Sequence, residues 1–85
     1  MERRELRLID MPSYLTFWVE IDRDKDQVDA YVQSSIHTGK ANKLLHGFSV
    51  EYYNEKCYGN DGVVADLRAF AIKLYGLKLV PGRYE

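Results

Sequence analysis

The chain has little cysteine, little net charge and no long hydrophobic run. Cys57 is the only cysteine among the 85 residues, so neither an internal disulfide nor a cysteine-rich zinc site can form. Twelve Lys and Arg residues against thirteen Asp and Glu residues give a net charge of −1, which provides no overall attraction toward nucleic acid or an anionic membrane. The charged start, Met1 to Arg7, is not followed by a long apolar segment, so we expect no signal peptide, no membrane span and a cytoplasmic location.

Length and composition set the number of domains. A chain of 85 residues with 46% hydrophobic content matches one small domain and leaves no room for a second core. We expect residues 1–85 to form that domain, with residues 81–85 as a flexible tail. A domain this small is marginally stable unless it packs tightly, which favours self-association.

The first part of the chain predicts a β-hairpin. Leu6 and Leu8 alternate with charged residues, and residues 10–13 supply turn chemistry. Residues 14–21 then alternate strictly, which is typical of a half-buried strand. One face of this strand carries Leu15, Phe17, Val19 and Ile21; the other carries Tyr14, Thr16, Trp18 and Glu20.

The remaining pattern predicts two helices among short strands. A first helix would begin at Asp24 and end at Gly39, with apolar residues at helical spacing. Residues 44–53 and 56–58 would form strands. A second helix, capped by Asn60 or Asp61, would end at Gly76, and residues 77–80 would form a last strand. After the N-terminal hairpin this is the ferredoxin-like βαββαβ order, an α+β two-layer sandwich with both helices on one face of an antiparallel sheet.

The motifs that could carry chemistry are incomplete. Asp22, Asp24 and Asp26 match the first half of a calcium loop, but Gln27 and Gln33 stand where that loop needs Gly and Glu. Cys57 could pair with His37 or His46 as a nucleophile, although nothing in the sequence brings them together. The Gly59 to Gly62 loop could hold a phosphate, but Asp61 would repel it. We therefore expect a non-enzymatic protein without catalytic residues, metal or cofactor.

Residues 46–53 can be compared with the aromatic octamer of RNA-recognition domains. Gly47, Phe48 and Tyr53 agree with that octamer, whereas His46, Val50 and Glu51 do not. The segment also occupies the second strand of the predicted order, where the octamer belongs on the third. Binding of single-stranded nucleic acid through a sheet face therefore stays an alternative, not the favoured function.

The chain contains more aromatic residues than a core of this size needs. The chain has one Trp, seven Tyr and three Phe, and Trp18 falls on the strand face that the core does not explain. Trp and Tyr are enriched at the centres of protein interfaces. We expect Trp18, Tyr14 and Tyr53, with Glu20 and Glu51 as polar neighbours, to bind a protein partner or a second copy of the chain, unless the hairpin or the tail covers this face.

These expectations define a small interaction module. It would act as an inhibitor, adaptor or assembly subunit that binds a larger macromolecule or itself through the aromatic sheet face or an exposed edge strand. Small acidic domains of this kind are common as inhibitors in phages and mobile elements, an association that does not depend on any residue here. A third class, a small enzyme whose site is completed between subunits, would require His46 or Cys57 at a dimer boundary.

Overall fold

Four antiparallel strands form one open sheet in which each strand pairs with the next along the chain. The computed structural model describes residues 1–8, 10–37, 40–59 and 61–77. The strands are β1 (Glu2–Leu6), β2 (Leu15–Asp22), β3 (Gln27–Ser34) and β4 (Asn42–Phe48), in the spatial order β1-β2-β3-β4. Two helices follow them, α1 (Val50–Lys56) and α2 (Val63–Tyr75). The predicted N-terminal hairpin is confirmed as β1 and β2.

Both helices pack on one face of the sheet, which confirms the α+β class and the two-layer arrangement. The sheet contributes one set of alternating apolar residues, and the helices contribute a second set that meets it. From the strands come Leu6, Leu15, Phe17, Val19, Ile21, Val28, Ala30 and Val32; from the helical region come Tyr53, Cys57, Val63, Val64, Leu67 and Ala71. Burial of these apolar surfaces is the main favourable term in the stability of the domain.

The predicted first helix is wrong, because residues 27–34 form strand β3. Val28, Ala30 and Val32 point into the core in strict alternation, and they pair with Ile21, Val19 and Phe17 on β2. Asp24 and Gln27, whose spacing matches a helix capping box, lie in the β2–β3 loop and at the first position of β3 respectively. Gly39, the predicted end of that helix, lies outside the described residues.

The predicted strand at residues 44–53 is correct only in its first half. Strand β4 ends at Phe48, and α1 begins at Val50. Ser49 is the N-cap of α1, and its side chain accepts a hydrogen bond of 3.0 Å from the Tyr52 backbone N–H, which satisfies one of the otherwise unpaired donors of the first turn. The predicted strand at residues 56–58 is wrong as well, since Lys56 ends α1.

The element order therefore differs from the ferredoxin-like prediction. In the part of the chain that the structure describes, four strands precede both helices, so the sheet is a meander without the helical crossover that a split βαβ unit contains. Apart from Leu77, which is not in a strand, the predicted last strand at residues 77–80 and the tail at residues 81–85 lie outside the described residues.

The second helix is confirmed over residues 63–75. It ends at Gly76, whose φ of 62° is the left-handed conformation that glycine adopts without a steric penalty. Its predicted cap is wrong in part: Gly62 is the N-cap, without a side-chain hydrogen bond, and Asn60 lies outside the described residues. The sequence places Val63, Val64, Leu67, Phe70, Ala71 and Leu74 at helical spacing, but the buried stripe is narrower than this pattern predicts, because Phe70 and Leu74 are 46% and 47% exposed.

Candidate interaction surface

The side of the sheet away from the helices, here called the outer face, carries a stack of four side chains that runs across all four strands. Trp18 on β2 and Tyr31 on β3 stand opposite each other, with ring centroids 5.4 Å apart and planes within 6° of parallel. The Arg3 guanidinium of β1 lies 4.2 Å from the Trp18 ring centroid, and Lys43 of β4 lies 5.7 Å from the Tyr31 centroid. We call these four residues the aromatic stack.

The stack covers Trp18 and fixes its orientation. Arg3 and Tyr31 lie on strands at either side of β2, so they occupy opposite faces of the indole, and Trp18 is only 3% exposed. The indole Nε1 donates to Glu20 at 3.3 Å. Stacked aromatic rings and cations above a ring each contribute about 0.5–1.5 kcal/mol beyond area burial. The outer face is therefore rigid at its centre.

Charges of both signs surround the aromatic stack. Asp29 lies 3.7 Å from the Lys43 ammonium, and its carboxylate also accepts from the Gly47 backbone N–H at 3.0 Å and from the Gln27 amide. Glu20 stands opposite Arg3, and Glu5 lies on the same side of β1 as Arg3, so the outer face has no single sign of charge.

The structure gathers only part of the predicted partner-binding set. Trp18 and Glu20 lie together on the outer face. Tyr14 lies at the start of β2, against the core and 6.0 Å from the His37 ring. Tyr53 belongs to α1 and lies in the core, where it is only 3% exposed. Glu51 lies in the first turn of the same helix. The assignment of Tyr53 and Glu51 to the sheet face is therefore wrong, because residues 50–56 are helical.

Cys57 has the environment of a core thiol. Burial raises the pKa of Cys57, although hydrogen bonding to Tyr53 and the charge of Arg4 act in the opposite direction. Burial also raises the pKa of Tyr53. Within the described residues neither histidine contacts Cys57: His37 shares a hydrogen bond with Ser34 and lies 5.0 Å from the Tyr75 ring, and His46 is exposed on β4. A raised pKa keeps the thiol protonated, the opposite of what a nucleophile needs.

The aspartates of the incomplete calcium loop serve the backbone of the β2–β3 turn. Asp22 accepts a hydrogen bond from the Lys25 backbone N–H at 3.2 Å. Asp26 has a left-handed φ of 51°, and its carboxylate accepts from the Val50 N–H, the first of α1, at 3.0 Å. The turn thus holds the N-terminus of α1. In the described part of the chain no three His, Cys, Asp or Glu side chains are grouped as metal ligands.

The glycine-rich loop before α2 joins the two helices closely. Val64 N–H donates to the Cys57 carbonyl at 2.9 Å, and a Cβ at Gly62 would lie 1.9 Å from the Lys56 carbonyl oxygen. Gly62 is therefore needed for close approach to the end of α1. The predicted cap, Asp61, instead accepts a 3.4 Å hydrogen bond from the Tyr52 hydroxyl through its backbone carbonyl.

Three members of the aromatic stack were missed by the sequence analysis: Arg3, Tyr31 and Lys43. Tyr31 was assigned to a helix, so its place opposite Trp18 could not be recognised. The signal that would have found it is the alternation of Gln27, Asp29, Tyr31 and Gln33 with the buried residues of β3.

Comparison of the chain with models of known families, with curated proteins and with solved structures found no match in any of the three. None of the described helices is long and apolar enough to cross a membrane. The function is therefore argued from the geometry of this chain.

Proposed function

We propose that this domain is a non-enzymatic protein-interaction module that binds its partner through the outer face of the sheet. The observation that carries the proposal is the aromatic stack, in which a Trp–Tyr pair is enclosed between Arg3 and Lys43. Aromatic residues and arginine are the side chains that contribute most to binding at protein interfaces. Among the described residues, both helices lie on the opposite face of the sheet.

The stack defines different roles for its members. Trp18 is too buried to insert into a partner, so it acts as the rigid support that lies between Tyr31 and Arg3. Because the stack already restricts their side-chain rotamers, less conformational entropy is lost when a partner binds. The charged rim around the Trp18–Tyr31 pair consists of Arg3, Lys43, Glu5 and Glu20. Its charges of both signs set the orientation of the partner more than the affinity.

The finer role that we propose is that of a small inhibitor, adaptor or assembly subunit in the cytoplasm. A single buried thiol without a disulfide partner supports a reducing compartment. A phage or mobile-element source is supported only by the general frequency of small acidic inhibitor domains in such genomes.

The test compares substitutions on the two sides of the domain. Tyr31→Ser removes the half-buried aromatic of the outer face, and Phe70→Ser removes an exposed aromatic from the helical layer as a matched control. The tagged proteins are used to capture partners from the source cells, with mass spectrometry as readout and circular dichroism as the check on folding. We expect Tyr31→Ser to lose the captured protein and Phe70→Ser to retain it.

A second pair of variants keeps the backbone and the aromatics unchanged. Lys43→Glu reverses a charge on the rim, and Lys73→Glu reverses a charge on the exposed side of α2. Loss of capture in Lys43→Glu alone supports the proposal. Equal capture by Tyr31→Ser, Lys43→Glu and the unaltered protein would refute the outer face as the binding surface.

Single-stranded nucleic acid is the less supported partner. Two cations beside two aromatics favour it, but both faces of the Trp18 indole are already occupied, so a base has no ring to stack on without displacing Arg3 or Tyr31. The Trp18 fluorescence titrated with short single strands at two salt concentrations decides the question. Quenching that weakens as salt rises would support this partner, and no binding at low salt ends it.

A further inference from the structure

Strand β1 is an edge of the sheet, and its backbone is paired on one side only. Among the described residues it pairs with β2 and with no other strand. Its three central residues, Arg3, Arg4 and Glu5, are exposed. An edge strand presents a row of unpaired N–H and C=O groups, which another strand of matching side chains can complete.

The charges on β1 differ between the two faces of the sheet. On the helical side Arg4 is neutralised by Glu2, with an N–O distance of 2.6 Å, which lowers the pKa of Glu2, and its guanidinium lies 5.8 Å from the Tyr53 ring centroid. On the outer face Arg3 and Glu5 have no ion pair with any charged side chain in the described part of the chain. Arg3 lies 4.2 Å from the centroid of the Trp18 ring, and a guanidinium above a ring still has N–H donors for a carboxylate.

From this pattern we infer that β1 is a self-association site, at which the β1 strand of a second copy pairs antiparallel about a two-fold axis through Arg4. This inference goes beyond the proposed function, because the edge of β1 is a second binding surface beside the outer face, and its occupant is a second copy of the chain. In this register Arg3 lies opposite Glu5 of the second copy, and Glu5 lies opposite its Arg3. Two symmetry-related Arg3–Glu5 ion pairs therefore form across the axis. The two sheets become one continuous sheet with about four to six new backbone hydrogen bonds.

Neighbouring registers do not provide this complementarity. A shift of one residue sets the outer face of one copy against the helical side of the other, since side chains alternate along a strand. A shift of two residues sets Arg3 against itself or against Arg7. The two Arg4 residues on the axis each retain Glu2, so the centre of the interface carries no net repulsion.

The helical side of the same edge offers a concavity of mixed polarity and one exposed aromatic ring to the interface. A concavity of about 250 Å³ is lined by Arg4, Leu6, Tyr53, Cys57 and Tyr58, among others, and Tyr58 is 70% exposed. Because Arg4 lines it, this concavity lies beside the proposed axis, where the two copies would enclose both Tyr58 side chains. Burial of exposed Tyr at an axis is typical of symmetric dimers.

The test is an exchange of charges across the axis. Arg3→Glu and Glu5→Arg each place like charges opposite each other in a homodimer, and a mixture of the two variants restores opposite charges at both positions. Sedimentation equilibrium is measured at low salt over roughly a hundredfold range of concentration. We expect the unaltered protein to rise from 9.9 kDa toward twice that mass, each variant to dissociate at least roughly tenfold more readily, and the mixture to associate as the unaltered protein does.

Several results would overturn the inference. The unaltered protein could remain monomeric throughout, either single variant could associate as well as the unaltered protein, or the mixture could fail to associate. Arg3→Glu also removes a contact with Trp18, and Glu5 stands opposite Trp18 in the register of β1 and β2, so circular dichroism and Trp18 emission accompany each sample. A monomeric protein that still captures a partner sensitive to Lys43→Glu would refute self-pairing and leave the proposed function intact.

Discussion

The turn residue Asp26 should stabilise the domain in two separable ways, through its backbone conformation and through its carboxylate. Its φ of 51° is left-handed, a conformation that costs most residues about 1–2 kcal/mol and costs Asp, Asn and Gly less. Its carboxylate accepts a hydrogen bond from the first N–H of α1 at 3.0 Å. This contact is equivalent to a capping interaction of about 1 kcal/mol, to which the helix dipole contributes about 0.3–1 kcal/mol.

Three substitutions at this position separate the two effects. Asp26→Asn keeps both the turn conformation and a side-chain oxygen, so it should lower the free energy of unfolding by about 0.5 kcal/mol, the charge contribution alone. Asp26→Gly removes the cap but suits the turn, for a loss of about 1 kcal/mol. Asp26→Ala removes the cap and adds backbone strain, for a loss of about 2 kcal/mol.

Urea unfolding followed by circular dichroism measures these differences directly, since a change in midpoint at constant slope is a change in stability. Ser49→Ala, which removes the other cap of α1, provides a reference loss of about 1 kcal/mol. If Asp26→Ala were no less stable than Asp26→Gly, the argument from the left-handed turn would be refuted. If Asp26→Gly matched the unaltered protein, the contact with α1 would contribute nothing.

Three further predictions follow from the stack, the helix junction and the buried thiol. Arg3→Ala should shift the emission of Trp18 to longer wavelength and lower stability by about 1 kcal/mol, because a cation no longer covers the indole; unchanged emission would contradict the stack. Gly62→Ala should cost more than Gly76→Ala in urea unfolding, about 2 kcal/mol or more against about 1, because its Cβ would clash with a backbone oxygen. The raised pKa of Cys57 means that the folded state holds the thiol proton more tightly, so the contribution of this thiol to stability should be constant below about pH 8.5 and fall as pH rises above it. In Cys57→Ala that part of the alkaline loss should be absent.

The sequence was most informative where one periodicity had no competitor. Residues 14–21 alternate strictly, and the structure places Leu15, Phe17, Val19 and Ile21 in the core as expected. The buried residues of α2 could be predicted in the same way, since Val63, Val64, Leu67 and Ala71 repeat at helical spacing. Such patterns express directly which face of an element is removed from water.

The errors arose where a short apolar segment fits two periods. Val28 and Val32 are separated by four residues, which suits one face of a helix and one face of a strand equally. Asp24 and Gln27 have the spacing of a helix capping box, but they lie in the β2–β3 turn and at the start of β3. Only the pairing of β3 with β2 distinguishes a hairpin from a helix start at these residues. At residues 44–53, Ser49 was the available signal for a helix start, with Glu51 in the first turn and Lys56 in the last.

These errors determined which part of the candidate site was found. Trp18 was identified because its strand was predicted correctly. Tyr31 was not identified because β3 was predicted as a helix, and Tyr53 was assigned to the sheet face because the start of α1 was predicted as a strand. The contacts of Arg3 and Lys43 depend on register across strands, which is a long-range property that local patterns do not contain.

The placement of strands β1 to β4 before both helices has a consequence for synthesis in the cell. As the chain leaves the ribosome, residues 2–48 can pair into the meander by contacts between neighbouring segments, which form quickly. The aliphatic face of that sheet is covered only when residues 50–75 have been synthesised, at about 5–20 residues per second. It therefore stays exposed for on the order of a few seconds. During this interval a nascent chain should be a ligand for chaperones, and a chain truncated after β4 should remain one.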